Sequence, residues 1–308
     1  MFIVREAILR KNVNLKSEVI DILNINDEVE IIENNIIDKD ESEIYCKVKY
    51  KESYGYVIKS SLSDEKIKLI ENINEKDNDY KKIKDVSKQG KIKMINEAIR
   101  ILNQNNSYSA KLDYKFYKSG KTRLNGYFNI PYYEKEIIED ENKENEQYYS
   151  YDCSAFCDTI LNRVFKENMV RDGLNKIEVK KGVFKPNIWV TRDYYANAFL
   201  EDDAIKKKIK VVQYVDKFGE KIDISKMQIG DFIIGIIDKE NENHNPNIHM
   251  NHIMMYFGDG YIVHASYTNG KEIFNKVLLT KLIDDFYLKI GFENRFDKNI
   301  MLARYIEK

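Results

Sequence analysis

Several things are scarce in this chain of 308 residues, beginning with cysteine, of which there are three, proline, also three, and glycine, 13. Cys46, Cys153 and Cys157 are too few for a disulfide framework and lack the paired C-x-x-C spacing of a zinc site, so they read as reduced thiols. No apolar run approaches the roughly 18 residues that a membrane-crossing helix needs. The nearest is the short, strand-like Phe232-Ile233-Ile234-Gly235-Ile236-Ile237, so membrane insertion is not expected. Met1-Phe2-Ile3-Val4-Arg5-Glu6 meets charge at once and lacks the basic and apolar regions of a signal peptide. The expected location is therefore the cytoplasm, unless another route delivers the protein. An excess of one charge is missing too. With 50 Lys and Arg against 51 Asp and Glu the formal net charge is -1, and no global positive field draws the chain to nucleic acid.

What is present begins with short alternating runs. Glu28-Val29-Glu30-Ile31-Ile32, Ile44-Tyr45-Cys46-Lys47-Val48-Lys49-Tyr50 and Gly55-Tyr56-Val57-Ile58 carry the period of half-buried strands, and their spacing predicts a small antiparallel barrel over residues 1–63. A charged stretch, 64–90, reads as a linker. From Ile92 the apolar residues Ile95, Ile99 and Leu102 recur at three and four positions, with Met94, Ala98 and Ile101 widening the stripe, which predicts an amphipathic helix ending near Leu102. Residues 109–150, with an acidic run from Glu134 to Glu146, and 166–210 read as insertions. A second helix from Asp152 carries Phe156, Ile160, Leu161, Val164 and Phe165. Strand-like segments follow at 210–215, 231–237, 252–257 and 261–264. Helices first and sheet afterwards make the fold class α+β: a small all-β barrel followed by a helix-plus-antiparallel-sheet domain over 91–308.

The chemistry-bearing residues fall at the junctions of these elements. Cys153 sits where an apolar helix begins, and a helix N-terminus together with a nearby imidazolium favours the thiolate over the thiol. Asp152 and Ser154 flank it and are capping residue types. Cys157, four positions on, falls on the core side of the helix. His252 opens one apolar strand and His264 closes the next, the two joined by Gly258-Asp259-Gly260. A tight hairpin there brings both imidazoles to the same end of the ribbon. His244 and His249 lie in a polar stretch without carboxylate or thiolate neighbours at ligand spacing, so no metal is expected. Thiol, base and orienting group in this order point to a cysteine hydrolase.

The same residues resemble the NlpC-type papain-like peptidases, which cut peptidoglycan stem peptides. Asp152-Cys153-Ser154-Ala155-Phe156 is similar to that family's DCSGF, with Ala155 for Gly. Ile229-Gly230-Asp231-Phe232 is similar to PGDL, His252 through Gly260 to HVGIYLGDG, and Ile262-Val263-His264-Ala265-Ser266 to FIHAS. Residues 1–63 resemble the bacterial SH3-like family: Leu9-Arg10-Lys11-Asn12-Val13 for its LNVR, Tyr45-Cys46-Lys47-Val48 for WYKV, and Gly55-Tyr56-Val57 with Ser60-Ser61-Leu62 for GYV and SYL. The resemblance implies Cys153 as nucleophile, His252 as general base and His264 as the residue that orients it. It also implies a tyrosine beside the oxyanion, for which Tyr108 and Tyr132 compete, and it needs no cofactor. Asp152 and Ser154 are candidates for recognising the polar stem. The implied substrate is the bond between γ-D-glutamate and the following diamino acid, and the implied partners are peptidoglycan or its stem peptides, with phage tail proteins if the protein is part of a tail; release by a holin is the other route to the wall. The 99 positions from Cys153 to His252 are more than the family spacing predicts. Two other readings compete: a catalytically degenerate wall-binding or tail protein, and a papain-like enzyme acting on another amide. The N-terminal unit is expected to be separable and to serve wall recognition.

Overall fold

Seven short strands come first in the computed structural model: β1 (Phe2–Ile3), β2 (Ala7–Arg10), β3 (Val19–Leu23), β4 (Glu30–Ile37), β5 (Ile44–Tyr50), β6 (Ser53–Ile58) and β7 (Leu62–Ser63). Next are α1 (Lys88–Ser119), β8 (Glu136–Ile137), β9 (Gln147–Tyr148) and α2 (Cys153–Phe165). The remainder is β10 (Ile177–Lys180), β11 (Val183–Lys185), β12 (Ile209–Val215), β13 (Phe232–Ile237), β14 (Met250–Gly258), β15 (Tyr261–Ser266), β16 (Lys276–Lys281) and β17 (Asn299–Tyr305). The structure describes residues 1–38, 43–67, 85–119, 136–137, 147–148, 153–167, 177–180, 183–185, 194, 197–199, 207–237, 250–266, 276–282, 288–290 and 299–307.

The chain is α+β, as its element order predicts. The expected barrel takes a different form: among the described residues the N-terminal strands make an open five-stranded antiparallel sheet, β3-β2-β6-β5-β4, and a separate β1-β7 ribbon. β4 is its edge, and register shifts between Ile31 and Glu33 and between Glu33 and Ile36 twist that edge out of line, which discourages pairing with other chains. Gly55 permits the close approach of β6 to β2, since a Cβ there would lie 2.6 Å from the Arg10 carbonyl oxygen. The C-terminal sheet has six strands in the order β12-β17-β13-β14-β15-β16.

Helix α1 packs on β3 of the N-terminal sheet, on β16 and on α2, and α2 rests on β14 and β15, so that one cluster of buried side chains is continuous through both sheets and both helices. It takes Ile8, Val19, Ile22 and Ile58 from the N-terminal sheet, Met94, Ile95, Ala98 and Leu102 from α1, Phe156, Cys157, Ile160 and Leu161 from α2, and Ile253, Met255 and Val263 from the C-terminal sheet. Each fully buried Ile, Leu or Phe contributes roughly 1.5–3 kcal/mol relative to exposure. Cys157 is thus a core residue, as its helical position predicts. Two smaller buried clusters are separate from this core: Met254, Tyr256 and Ile262 among others on the C-terminal sheet, and Ala7, Leu9, Val48 and Val57 among others on the N-terminal one. The stripe of α1 is where periodicity places it, but the helix does not end near Leu102; it runs on to Ser119.

Polar contacts reinforce this shared core. Arg10 on β2 pairs with Asp259, the tip of the β14–β15 hairpin, at 2.6 Å with both side chains fully buried, and Ser61 donates its hydroxyl proton to the same carboxylate. Glu6 pairs with Lys91 of α1 at 2.6 Å and accepts from the Ile229 backbone N–H. Glu43 accepts from the Tyr261 hydroxyl and from Lys281. The first 63 residues therefore hold on to the C-terminal part of the chain by both apolar and ionic contacts.

Candidate functional site

The hairpin that carries the two histidines is built from its turn outward. Asp259 at φ 55° and Gly260 at φ 82° supply positive φ at both central positions, which a two-residue type I′ turn requires and which Asp-Gly adopts at low cost. Tyr256 is nearly fully buried, and its hydroxyl accepts the Gly260 N–H at 3.2 Å. Burial pushes that phenol above its ordinary range, so it stays neutral and keeps its oxygen available to the turn. The strands pair Met255 with Val263 and Tyr256 with Ile262, with a register shift before Gly258. Alternation then puts Ile253, Met255 and Val263 on the helix side and Met254, Tyr256 and Ile262 on the other.

Both predicted histidines are brought together. His252 Nε2 lies 3.0 Å from His264 Nδ1, and the rings meet edge to face with centroids 5.2 Å apart. His264 is 2% exposed, whereas His252 is half-buried, so the His264 ring is enclosed and His252 is partly accessible. Opposite His252 in the register stands Gly235 of β13, which leaves no side chain to crowd the imidazole from that strand. The sequence reading missed one partner. Thr280 of β16 places its Oγ1 3.2 Å from His264 Nε2, one step diagonally from the Leu278 that pairs with His264. Only the strand register reveals this, because nothing distinguishes a threonine in an apolar strand until its neighbour across the sheet is known.

Cys153 is the first residue of α2, half-buried and packed against the shared core, and α2 rests on β14 and β15. Ser154 is 2% exposed. Asp152 and Tyr132 lie outside the described residues, as do His244 and His249. Tyr108 falls within α1 rather than after it; its side chain is outside the described set. Among the described residues, no group of three or more His, Cys, Asp or Glu is arranged to hold a metal ion, and no helix is long and apolar enough to cross a membrane.

The Ile229-Gly230-Asp231-Phe232 motif has a structural part to play. Gly230 turns the chain at φ 89°, where a Cβ would come within 2.9 Å of Met94 Sδ. Asp231 accepts the Gln228 N–H at 2.8 Å and binds Arg304 of β17 through both carboxylate oxygens, at 2.6 and 2.8 Å. Two parallel charge-assisted bonds fix orientation as well as distance, so this motif locks β13, the strand beside His252, into the sheet.

No protein-family model matches the chain, and no curated protein matches it. Among solved structures, NlpC2 from Trichomonas vaginalis is similar at 16% identity and a TM-score of 0.26, over 100% of this chain and 72% of that one. NlpC1 from the same organism is similar at 16% identity and a TM-score of 0.25, over 99% of this chain and 68% of the other. At that level of superposition neither likeness carries an argument about chemistry, which rests instead on the residues themselves.

Proposed function

We propose that the protein is a papain-like cysteine hydrolase of peptidoglycan, cutting stem peptides at the γ-D-glutamyl–diamino acid bond. The observation that supports it most directly is the 3.0 Å contact between His252 Nε2 and His264 Nδ1, on the strands against which the Cys153 helix packs. In this reading the Cys153 proton passes to His252 Nδ1, and the thiolate attacks the amide carbonyl carbon. Backbone N–H groups at the start of α2 receive the oxyanion, the kind of donor worth roughly a hundredfold to a thousandfold in rate. Collapse of the tetrahedral adduct expels the amine, which takes its proton from the His252 imidazolium and leaves a thioester. Water, deprotonated by His252, hydrolyses the thioester and restores the thiol. Asp152 is assigned to the free amine of the stem, with Ser154 beside it, and Tyr108 or Tyr132 to the oxyanion side. Residues 1–63 form the SH3-like unit that binds wall material or closes one side of the groove.

The test is mass spectrometry of purified peptidoglycan and of free stem peptides after incubation with the protein and with Cys153→Ala. Ala is a good helix former, so the variant keeps its fold while losing the nucleophile. The expected products end at γ-D-glutamate and appear only with the unaltered chain. Release of intact stems from sugar, or cleavage only at cross-bridges, overturns the bond assignment. Equal product from Cys153→Ala overturns the mechanism.

A further inference from the structure

We infer that Thr280 is a positioning residue that sets the tautomer of His264 and, through it, the nitrogen on which His252 can accept a proton. This rests on the proposed role of His252 as base. The argument follows the protons along the two contacts. A neutral imidazole carries one N–H, and the hydrogen bond made by one nitrogen decides where it sits. For His252 to accept a proton at Nδ1, its own proton must be on Nε2, and that N–H must then donate to His264 Nδ1, 3.0 Å away. His264, with Nδ1 accepting, carries its proton on Nε2. That N–H points to Thr280 Oγ1, 3.2 Å away, which must accept.

A hydroxyl can play this part because it has lone pairs for the ring N–H and a rotatable proton of its own. Thr280 is half-buried, so that proton can reach solvent while the oxygen accepts. The reverse polarity, with Thr280 donating to Nε2, would put the His264 proton on Nδ1 and force the His252 proton onto its own Nδ1, which blocks the base. The acceptor also matters after proton transfer. When His252 becomes imidazolium, a His264 whose Nε2–H is engaged is a better acceptor at Nδ1, because successive hydrogen bonds polarise one another. With His264 only 2% exposed, solvent is a poor substitute for the threonine.

The experiment combines imidazole 15N spectra with kinetics, in a chain whose four histidines keep the spectra simple; His252→Ala and His264→Asn assign the two signals. In the unaltered protein His264 is expected to be protonated on Nε2. Thr280→Val should mix or reverse that tautomer and lower kcat about tenfold or more, with KM little changed, while Thr280→Ser restores both. An Nδ1-protonated His264 in the unaltered protein overturns the inference, as does a Thr280→Val protein with unchanged His264 spectra. A kcat loss without spectral change, or one that serine does not rescue, shows a packing role instead and also overturns it. If the spectra behave as expected but the unaltered chain hydrolyses no stem peptide, the tautomer assignment stands and the proposed function is what fails.

Discussion

At its turn the β14–β15 hairpin is gripped by a guanidinium and a carboxylate that are both fully buried; at its open end two imidazoles and a hydroxyl hold one another at 3.0 and 3.2 Å. The same ribbon thus has a dry, charged end and an end that solvent reaches. A buried ion pair costs much to assemble and more to break on one side, so it suits a place that must not move. Hydrogen bonds among groups able to donate or accept suit a place where a proton is handed on. The difference teaches that the N-terminal sheet does part of its work at a distance, by fixing the turn from which the histidine strands extend.

The largest expected break in this comparison removes the N-terminal side altogether. Deleting residues 1–63 strips Ile8, Val19, Ile22 and Ile58 from the shared core and leaves Asp259, Lys91 and Lys281 without Arg10, Glu6 and Glu43. The 64–308 chain is expected to show no cooperative thermal transition by circular dichroism. A cooperative melt near that of the full chain would mean the first 63 residues are a separable unit.

Next in size is Arg10→Ala, which leaves the Asp259 carboxylate buried beside the Ser61 hydroxyl without its cation. Breaking one side of such a pair costs about 3–5 kcal/mol, measurable by urea unfolding. Asp259→Asn suits the φ of 55° at that position and removes the charge, so adding it to Arg10→Ala should recover part of the loss. A fully additive pair of losses would show that the two side chains do not act on one another. Gly258→Ala should cost less, roughly 1–3 kcal/mol. Its φ is 106°, and a Cβ would meet Ile229 Cδ1 and Cγ1 at 3.0 Å and Ile8 Cδ1 at 3.1 Å, all side-chain rather than backbone atoms. An unchanged urea midpoint would show that the turn tolerates strain and is less firmly held than its buried pair implies.

Periodicity made the helices and most strands legible, because buried stripes at Met94, Ile95, Ala98 and Leu102 or Phe156, Cys157, Ile160 and Leu161 are local facts of sequence. The meeting of His252 and His264 was legible too, since Asp-Gly between two apolar runs specifies a tight hairpin and hence which residues share an end. What sequence did not disclose depends on packing between distant segments. Arg10 and Asp259 are 249 residues apart, and the pairing that joins them follows from how the two sheets share one core, which no local pattern encodes. Thr280 is hidden for the same reason at shorter range, since a cross-strand partner is known only with the register of β15 on β16. The extension of α1 past Leu102 was missed because the polar run Asn103-Gln104-Asn105-Asn106-Ser107 interrupts its apolar stripe, and a helix boundary read from such a stripe stops at the first break.

On the scale of stability the histidine end should move least. His252→Ala removes a half-buried ring that contacts His264 at 3.0 Å, and the space it leaves opens toward solvent. A water molecule can then take its place beside His264 Nδ1 at little cost. The net loss should be under about 1 kcal/mol, the usual range for one replaceable hydrogen bond. Hydrolysis, by contrast, should fall nearly as far as in Cys153→Ala, because no other described group stands where His252 does. His264→Asn should keep part of the rate, since an amide oxygen can accept the Nε2–H that orients the base. Urea midpoints and hydrolysis rates measured on the same samples decide the matter. A His252→Ala protein destabilised as severely as Arg10→Ala would mean that both ends of the hairpin serve the fold, and the contrast between them would be lost.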